Sequence, residues 1–302
     1  MTISWAYWGE IAGLLSAVTA ALGALMARSL GRTVHPVAMN AIRSSIAALG
    51  FALLWLLGTG EVGDWNAALP WLFVSVMGGL VVGDSLYLAA ITRIGPGRAA
   101  ALAMSFPLPT AILSVILLNE HVSLLKAGGI VIGVTGIWLI ATRSRRASMG
   151  SAGMSADTAD GTVGTALAIA ASLCWAVSII ALKPALEIVS TEFANLSRMV
   201  FASFVLTIAS RSHLPALRQA LSGRSMKLIA VATGIVSVFT TSLLAQCVLL
   251  AGPSTASLMS SMTPIFAAPM AWLFFGETLS ARLTAGICLG IVSIAMVTMS
   301  GW

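Results

Sequence analysis

The chain has 302 residues, 58% of them hydrophobic and 9% charged, with mean hydropathy +0.99 and net charge +6. A soluble domain carries about a quarter charged residues, and a chain this apolar lacks the polar surface to stay in water. The composition excludes a soluble enzyme or regulator. The basic balance falls between apolar runs, so it reads as topogenic charge and not as a nucleic-acid footprint.

The apolar runs are ~20 residues long, not alternating ~10-residue segments, and this predicts helices. In lipid, backbone groups must be satisfied within the segment or in a closed barrel. Ten spans follow in chain order: 6–28, 36–57, 68–92, 97–118, 124–142, 163–183, 191–210, 226–250, 254–275 and 281–299. The expected fold is an all-α membrane protein whose main partner is the lipid bilayer. The longest polar stretch, 143–162, begins with Arg143, Arg145 and Arg146 and continues Gly/Ser/Ala/Asp-rich. It reads as a linker between residues 1–142 and 163–302. No cleavable signal peptide is expected, since no basic region precedes the first apolar run and that run exceeds signal length. Cys174, Cys247 and Cys288 lie within apolar runs and read as small core residues.

The two halves repeat. Gly95-Pro96, Pro107, Glu120, Ser123, Gly129 and Gly133 recur as Gly252-Pro253, Pro264, Glu277, Ser280, Gly286 and Gly290, at a constant offset of 157. A duplicated, membrane-buried unit is a common plan of secondary transporters. Five spans per copy force the copies into opposite orientations. The loops after spans 1, 3, 5, 7 and 9 hold 12 Lys and Arg, whereas the other loops and termini hold 2, Lys126 and Lys183. This bias predicts cytoplasmic odd-numbered loops, a cytoplasmic linker and both termini outside.

Pro107 and Pro264 fall midway through spans 4 and 9. Each removes a donor and frees the carbonyl four residues earlier, at Ala103 and Ser260. Ser105 lies near the first bend, and Ser260, Ser261 and Thr263 lie near the second. Either these are tolerated kinks or they form a polar cavity wall whose helices bend in gating. The repetition, with Pro109 and Pro269 added, favours cavity and hinge.

Asn40-x-x-Arg43 and Asn195-x-x-Arg198 occupy like positions, each Arg seven residues into its span and ~10 Å deep. Such an Arg can snorkel to the headgroups or anchor a substrate carboxylate or phosphate. Asp84 lies ~12 Å deep. An intramembrane acid marks a functional site by default, with Arg43 the partner within reach. The repeat offset places Thr241 opposite Asp84, so this acid belongs to one copy only. Tyr87, one turn on, shares its face. Trp175 and Gln246 are also single-copy, and such residues are where specificity is expected.

Glu10 reads as an outer partner for Arg198, mirroring an inner Arg43–Asp84 pair, or as an interfacial acid in contact with water. Glu120 and Glu277 precede the apparent N-caps Ser123 and Ser280 and read as structural. The motifs Gly129-x-x-x-Gly133 and Gly286-x-x-x-Gly290 let spans 5 and 10 approach another helix, either each other or a second protomer. Their presence in both copies favours the internal contact. His35, His121 and His213 are scattered and suggest no metal site, and Trp5, Trp71 and Trp302 suggest an aromatic belt. No Walker or dinucleotide-type Gly-rich loop occurs, so neither ATP nor another cofactor is expected.

Each copy has an Arg in its second helix, a Pro midway through its fourth and a Glu closing it. In this the chain resembles the EamA-type drug/metabolite transporters, with the YddG-like amino-acid exporters the nearest group. It departs from that pattern at Thr19, where a Trp is common; Trp175 keeps the Trp in the second copy. It also carries Glu61 and Asp64 in a loop that is often basic in the family. The resemblance implies ten helices in two inverted five-helix repeats, in the inner or plasma membrane. It implies alternating-access export of a small metabolite, an amino acid or related carboxylate. A passive facilitator on the same fold is the alternative. A membrane-embedded enzyme is the remote one, since the sequence has no His/Cys/Asp cluster.

Overall fold

The computed structural model describes residues 7–30, 35–58, 62–141, 158–275 and 281–300, and every regular element among them is helical. The first half comprises α1 (Trp8–Leu30), α2 (Pro36–Leu57), α3 (Trp65–Val76), a π-helical stretch (Met77–Gly83), α4 (Asp84–Ala103), α5 (Pro107–Leu118) and α6 (Leu124–Ala141). The second comprises α7 (Thr158–Ile188), α8 (Thr191–Ala209), a 3-10 turn (Arg211–His213), the short α9 (Leu214–Ala220), α10 (Arg224–Ser261), α11 (Thr263–Phe275) and α12 (Ala281–Met299). Trp5, Trp302, Glu61, Glu277, Ser280 and most of the expected linker lie outside the described residues.

Eight helical stretches are long and apolar enough to cross a membrane, and Leu124–Ile140 is a shorter apolar helix. One of the eight, Arg224–Phe274, cannot be a single crossing. The 38 residues of α10 alone would reach ~57 Å, about twice the hydrocarbon thickness. Gly13 shows what happens instead. A Cβ placed there would lie 2.7 Å from Cys247 Sγ and 2.9 Å from Met259 Cγ. Residues 247 and 259 are ~18 Å apart on a straight helix. The chain therefore reverses between them, at Gly252, whose φ of 86° only glycine adopts freely. Gly95, one repeat earlier, has φ 78° and breaks α4 in the same way. Counting the two arms of Arg224–Phe274 separately makes nine, and with Leu124–Ile140 the described residues give the ten spans that the sequence predicts.

The reversal at Gly252 is held by charge. Lys183 donates to the Leu249 carbonyl at 2.7 Å, where the incoming helix ends. Glu120 accepts from the Ser254 backbone N–H at 3.2 Å and its hydroxyl at 3.0 Å, where the outgoing helix begins. A cation at a helix C-terminus and an anion at an N-terminus both match the macrodipole. Lys126 closes the cluster, 2.8 Å from Glu120. This corrects the expectation for Glu120. Ser123 does cap α6, accepting from Lys126 N–H at 3.2 Å, but the carboxylate serves a helix start 134 residues away.

Equivalent helices of the two copies pack antiparallel, which is the inverted arrangement in physical form. Along α2 and α8, His35 meets His213, Ser45 meets Ser203 and Trp55 meets Phe193, one number rising as the other falls. Along α6 and α12, a Cβ on Gly129 would meet Val297 at 2.8 Å, on Gly133 Ser293 Oγ at 2.5 Å, and on Gly136 the Gly286 carbonyl at 2.8 Å. The glycine motifs thus serve the internal contact, and Ser293 donates across it to the Gly129 carbonyl at 2.6 Å. The histidines are less scattered than the sequence suggests. His35 and His213 stack at 3.9 Å, and burial together with His213 holds the His35 imidazole below its ordinary range, favouring the uncharged form that stacks.

The interior is built from small residues: Ala12, Ala17, Ala21, Ala47, Ser75, Ser254 and Ser257 are all buried. Leu49, Leu56 and Leu57 face outward, at 70% exposure or more. Small residues inside and large aliphatics outside is the packing that a lipid solvent selects, because close backbone approach drives helix association there.

Two boundaries move. Helix α7 begins at Thr158, inside the expected linker, and α3 begins at Trp65. Polarity marks where the bilayer ends, and a helix need not stop there.

Candidate functional site

Between the repeats lies a cavity of about 440 Å³. One wall is charged: Asn40 and Arg43 from α2, Asp84 and Tyr87 from α4. The rest of the polar lining is neutral and hydroxyl-rich: Thr19 from α1, Ser44 from α2, then Thr233, Ser237, Thr240 and Thr241 from α10. Trp175 of α7 and Met199 of α8 also line it, among smaller apolar residues.

Local sequence explains how Asp84 comes to face this space. The stretch Met77–Gly83, MGGLVVG, is π-helical and ends immediately before it. A π-turn changes the heading of every residue that follows, and such turns recur at functional sites. Three of its glycines face α7. A Cβ on Gly78 would lie 2.9 Å from the Cys174 carbonyl, on Gly79 2.5 Å from Ser178 Oγ, and on Gly83 2.7 Å from the Trp175 ring. Their bareness lets α7 come close enough for Trp175 Nε1 to donate to Asp84 Oδ1 at 3.1 Å. Trp175 is steadied by Tyr87 at 5.2 Å and Phe106 at 5.8 Å between ring centroids.

Arg43 and Asp84 form no direct ion pair among the described residues. Asn40 stands between them. Arg43 Nη2 donates to Asn40 Oδ1 at 2.6 Å, and Asn40 Nδ2 donates to Asp84 Oδ2 at 3.3 Å. The chain of bonds runs one way, and every donor points toward Asp84. An ionised carboxylate, which only accepts, is the terminus that such a chain requires.

Of the residues singled out in the sequence, Arg43, Asp84, Tyr87 and Trp175 meet in this cavity. The others lie elsewhere. Gln246 accepts from Trp8 Nε1 at 2.7 Å, between α1 and α10. Ser105 and Ser261 donate back to carbonyls of their own chain segment, Leu102 at 2.6 Å and Leu258 at 2.7 Å. The Ser260 carbonyl, expected free, accepts from Thr263 Oγ1 at 2.7 Å, and that of Ala103 accepts from Phe106 N–H at 3.3 Å. Pro107 is the first residue of α5 and Pro264 the second of α11, each following a break in the helix. There a missing N–H costs nothing. The breaks themselves, Met104–Phe106 and Met262, are where these segments change direction. Glu10 and Arg198 form no ion pair among the described residues, and Arg198 lines a different groove, between α3 and α8.

The cavity also takes in Asn40 and the α10 hydroxyls, which the sequence reading does not assign to it. Signals for both were present. Asn40 belongs to the repeated Asn-x-x-Arg motif, and its counterpart Asn195 reaches the Thr241 carbonyl at 3.5 Å as Asn40 reaches Asp84. Thr233, Ser237 and Thr241 recur every four residues, a polar stripe on one face of an otherwise apolar helix. Thr19, where the related family commonly has Trp, accepts from Thr240 Oγ1 at 2.9 Å.

No cluster of three or more His, Cys, Asp or Glu that could hold a metal occurs among the described residues. A family model described as the EamA-like transporter family matches residues 7–142 and 162–299, one match for each half. No curated protein matches the chain significantly. A solved structure, described only as the crystal structure of a protein, superposes with TM-score 0.77 at 17% identity, over 97% of this chain and 98% of that one. At that identity the likeness concerns the fold alone. The chain belongs to the EamA-like transporter family, and so is a multi-pass membrane transporter of the drug/metabolite superfamily.

Proposed function

We propose that this chain exports a small carboxylate-bearing metabolite, an amino acid or close relative, by alternating access through the cavity between the repeats. The Arg43–Asn40–Asp84 array carries the reading. A guanidinium suits a substrate carboxylate and an aspartate suits an ammonium. The amide of Asn40 now occupies both at once, so a zwitterion would replace its two hydrogen bonds like for like. A cavity of about 440 Å³ falls in the range of small-molecule sites. Phe106, in the helix break before Pro107, packs on the Trp175 that holds Asp84. Bending at that break would therefore move the site.

The test is counterflow in proteoliposomes preloaded with unlabelled amino acid. Labelled amino acid outside is expected to accumulate transiently above its equilibrium level, and accumulation should grow with the internal load. Uptake indifferent to the internal load would indicate a channel, and counterflow unaffected by an imposed pH gradient would indicate a passive carrier. No uptake of any amino acid would remove the substrate class.

The charge bias of 12 against 2 supports a cytoplasmic linker with both termini outside. A reporter enzyme that is active only outside the cytoplasm, fused after Trp302, is expected to be active. A cytoplasm-only fluorescent reporter at the same site should stay dark. The opposite pair of results would reverse the orientation.

A further inference from the structure

The two repeat-related arginines have different fates. Arg43 faces the central cavity, whereas Arg198 lines a separate groove of about 460 Å³ between α3 and α8. These helices run parallel: Trp65 packs on Phe193 at 5.3 Å and Phe73 on Phe201 at 5.6 Å, the two numbers rising together. The groove begins at the membrane face where both helices start. It descends along Leu69, Phe73 and Val76 on one side and Leu196, Val200 and Phe204 on the other. From Trp65 to Val76 it spans ~16 Å, close to the depth of one leaflet. Its rim is exposed, Phe73 at 51% and Phe204 at 65%, so it opens sideways into the bilayer and not into the central cavity.

Arg198 is 93% buried within this apolar setting, at 7% exposure. Its Nη1 reaches Asn195 Oδ1 at 3.3 Å, its Nε has no hydrogen-bond partner, and no carboxylate forms an ion pair with it among the described residues. An intramembrane guanidinium without an anion is costly, and buried charges are normally paired. The acid that serves Arg43 through Asn40 is Thr241 in this repeat, so the protein does not supply one here.

We propose that an anionic phospholipid from the surrounding leaflet occupies the α3/α8 groove, one acyl chain along its apolar walls and its phosphate accepting from Arg198. The Arg198 Cα lies ~10 Å below the start of α8, and its guanidinium reaches back toward Asn195. A long Arg side chain can extend toward the headgroups from that depth. The fork of an Arg matches phosphate oxygens, which supplies the missing counter-ion. The lateral opening explains why the guest is a lipid and not a water-borne anion.

The experiment is lipid titration of the detergent-purified protein, read by native mass spectrometry and by thermal unfolding. Phosphatidylglycerol, phosphatidylcholine and inorganic phosphate are added separately. Phosphatidylglycerol is expected to remain bound and raise the unfolding temperature, with a smaller shift from phosphatidylcholine and none from inorganic phosphate. Arg198→Gln should weaken phosphatidylglycerol retention ~tenfold or more, the loss of one charge-assisted hydrogen bond, while Arg198→Lys keeps part of it. Leu69→Trp, on the exposed rim, fills the groove without touching Arg198 and should also reduce retention. It keeps the proposal testable if the Arg198 variants fail to fold. Equal retention in wild type and in Leu69→Trp, equal shifts from the two lipids, or a shift from inorganic phosphate matching that of the lipid would each overturn the proposal.

Discussion

If Asp84 carries a coupling proton, Asp84→Asn is expected to abolish uphill transport driven by a pH gradient while leaving exchange at equal pH measurable. The reason is the direction of the hydrogen-bond chain. Asp84 accepts from Trp175 on one oxygen and from Asn40 on the other. An asparagine offers one acceptor and one NH₂ group, so a donor must face a donor. Turning Asn40 over only moves the conflict, because its amide would then face the Arg43 guanidinium that it now accepts from. A protonated Asp84 would likewise carry a donor, and Asp84→Asn fixes a donor at that position. A loss of at least ~tenfold in gradient-driven uptake corresponds to about 1.4 kcal/mol, within the cost of one unsatisfied buried donor. If the acid serves only to balance Arg43, Asp84→Asn will instead be unstable, and the joint Asp84→Asn, Arg43→Gln change will restore both stability and transport. Full activity in Asp84→Asn with an unchanged pH profile would remove the residue from the mechanism.

Glu120→Ala is expected to be among the most destabilising single changes in the chain. It strips Lys126, 9% exposed, of its only ion-pair partner among the described residues. It also leaves the Ser254 N–H at the Gly252 reversal without its acceptor. Breaking one side of a largely buried pair costs about 3–5 kcal/mol. Lys126→Met on the same background should recover most of the loss, since an apolar side chain of similar length needs no partner there. Thermal unfolding of the three proteins in one detergent decides the matter. A melting temperature unchanged by Glu120→Ala would show that the cluster does not hold the turn.

The repeat, the span count and the reversal points were legible because they are written in residues whose effect is local. Gly-Pro at a constant offset fixes a turn wherever it stands, and an apolar run of ~20 residues has few other fates in lipid. The charged wall was half legible. Asp84 and Arg43 announce themselves by depth alone, but Asn40 does not, because an asparagine becomes significant only through what it separates. Ser105 and Ser261 of spans 4 and 9 lie outside this cavity for a related reason. A hydroxyl in a helix can fold back onto its own carbonyls, as Ser105 and Ser261 do, and sequence does not distinguish that from one facing a cavity. Gln246 and Glu120 met partners 238 and 134 residues away, and no local pattern encodes such pairs. Arg198 looked equivalent to Arg43 by position, yet its surroundings differ because the second copy carries Thr241 where the first has Asp84.

That last difference bears on how a guest lies in the cavity. Along the contact of α2 with α8, histidine meets histidine and serine meets serine, so the frame is close to twofold. The lining is not: ionic groups stand on the α2/α4 side and neutral hydroxyls on the α1/α10 side. A truly twofold chamber would offer a dipolar guest two headings of equal energy and gain nothing from choosing between them. Here the two headings are unequal: an ionic head placed toward Arg43 and Asp84 would meet charged partners that the α1/α10 side lacks. A duplicated scaffold has in this way lost its indifference to which end of the cargo goes first.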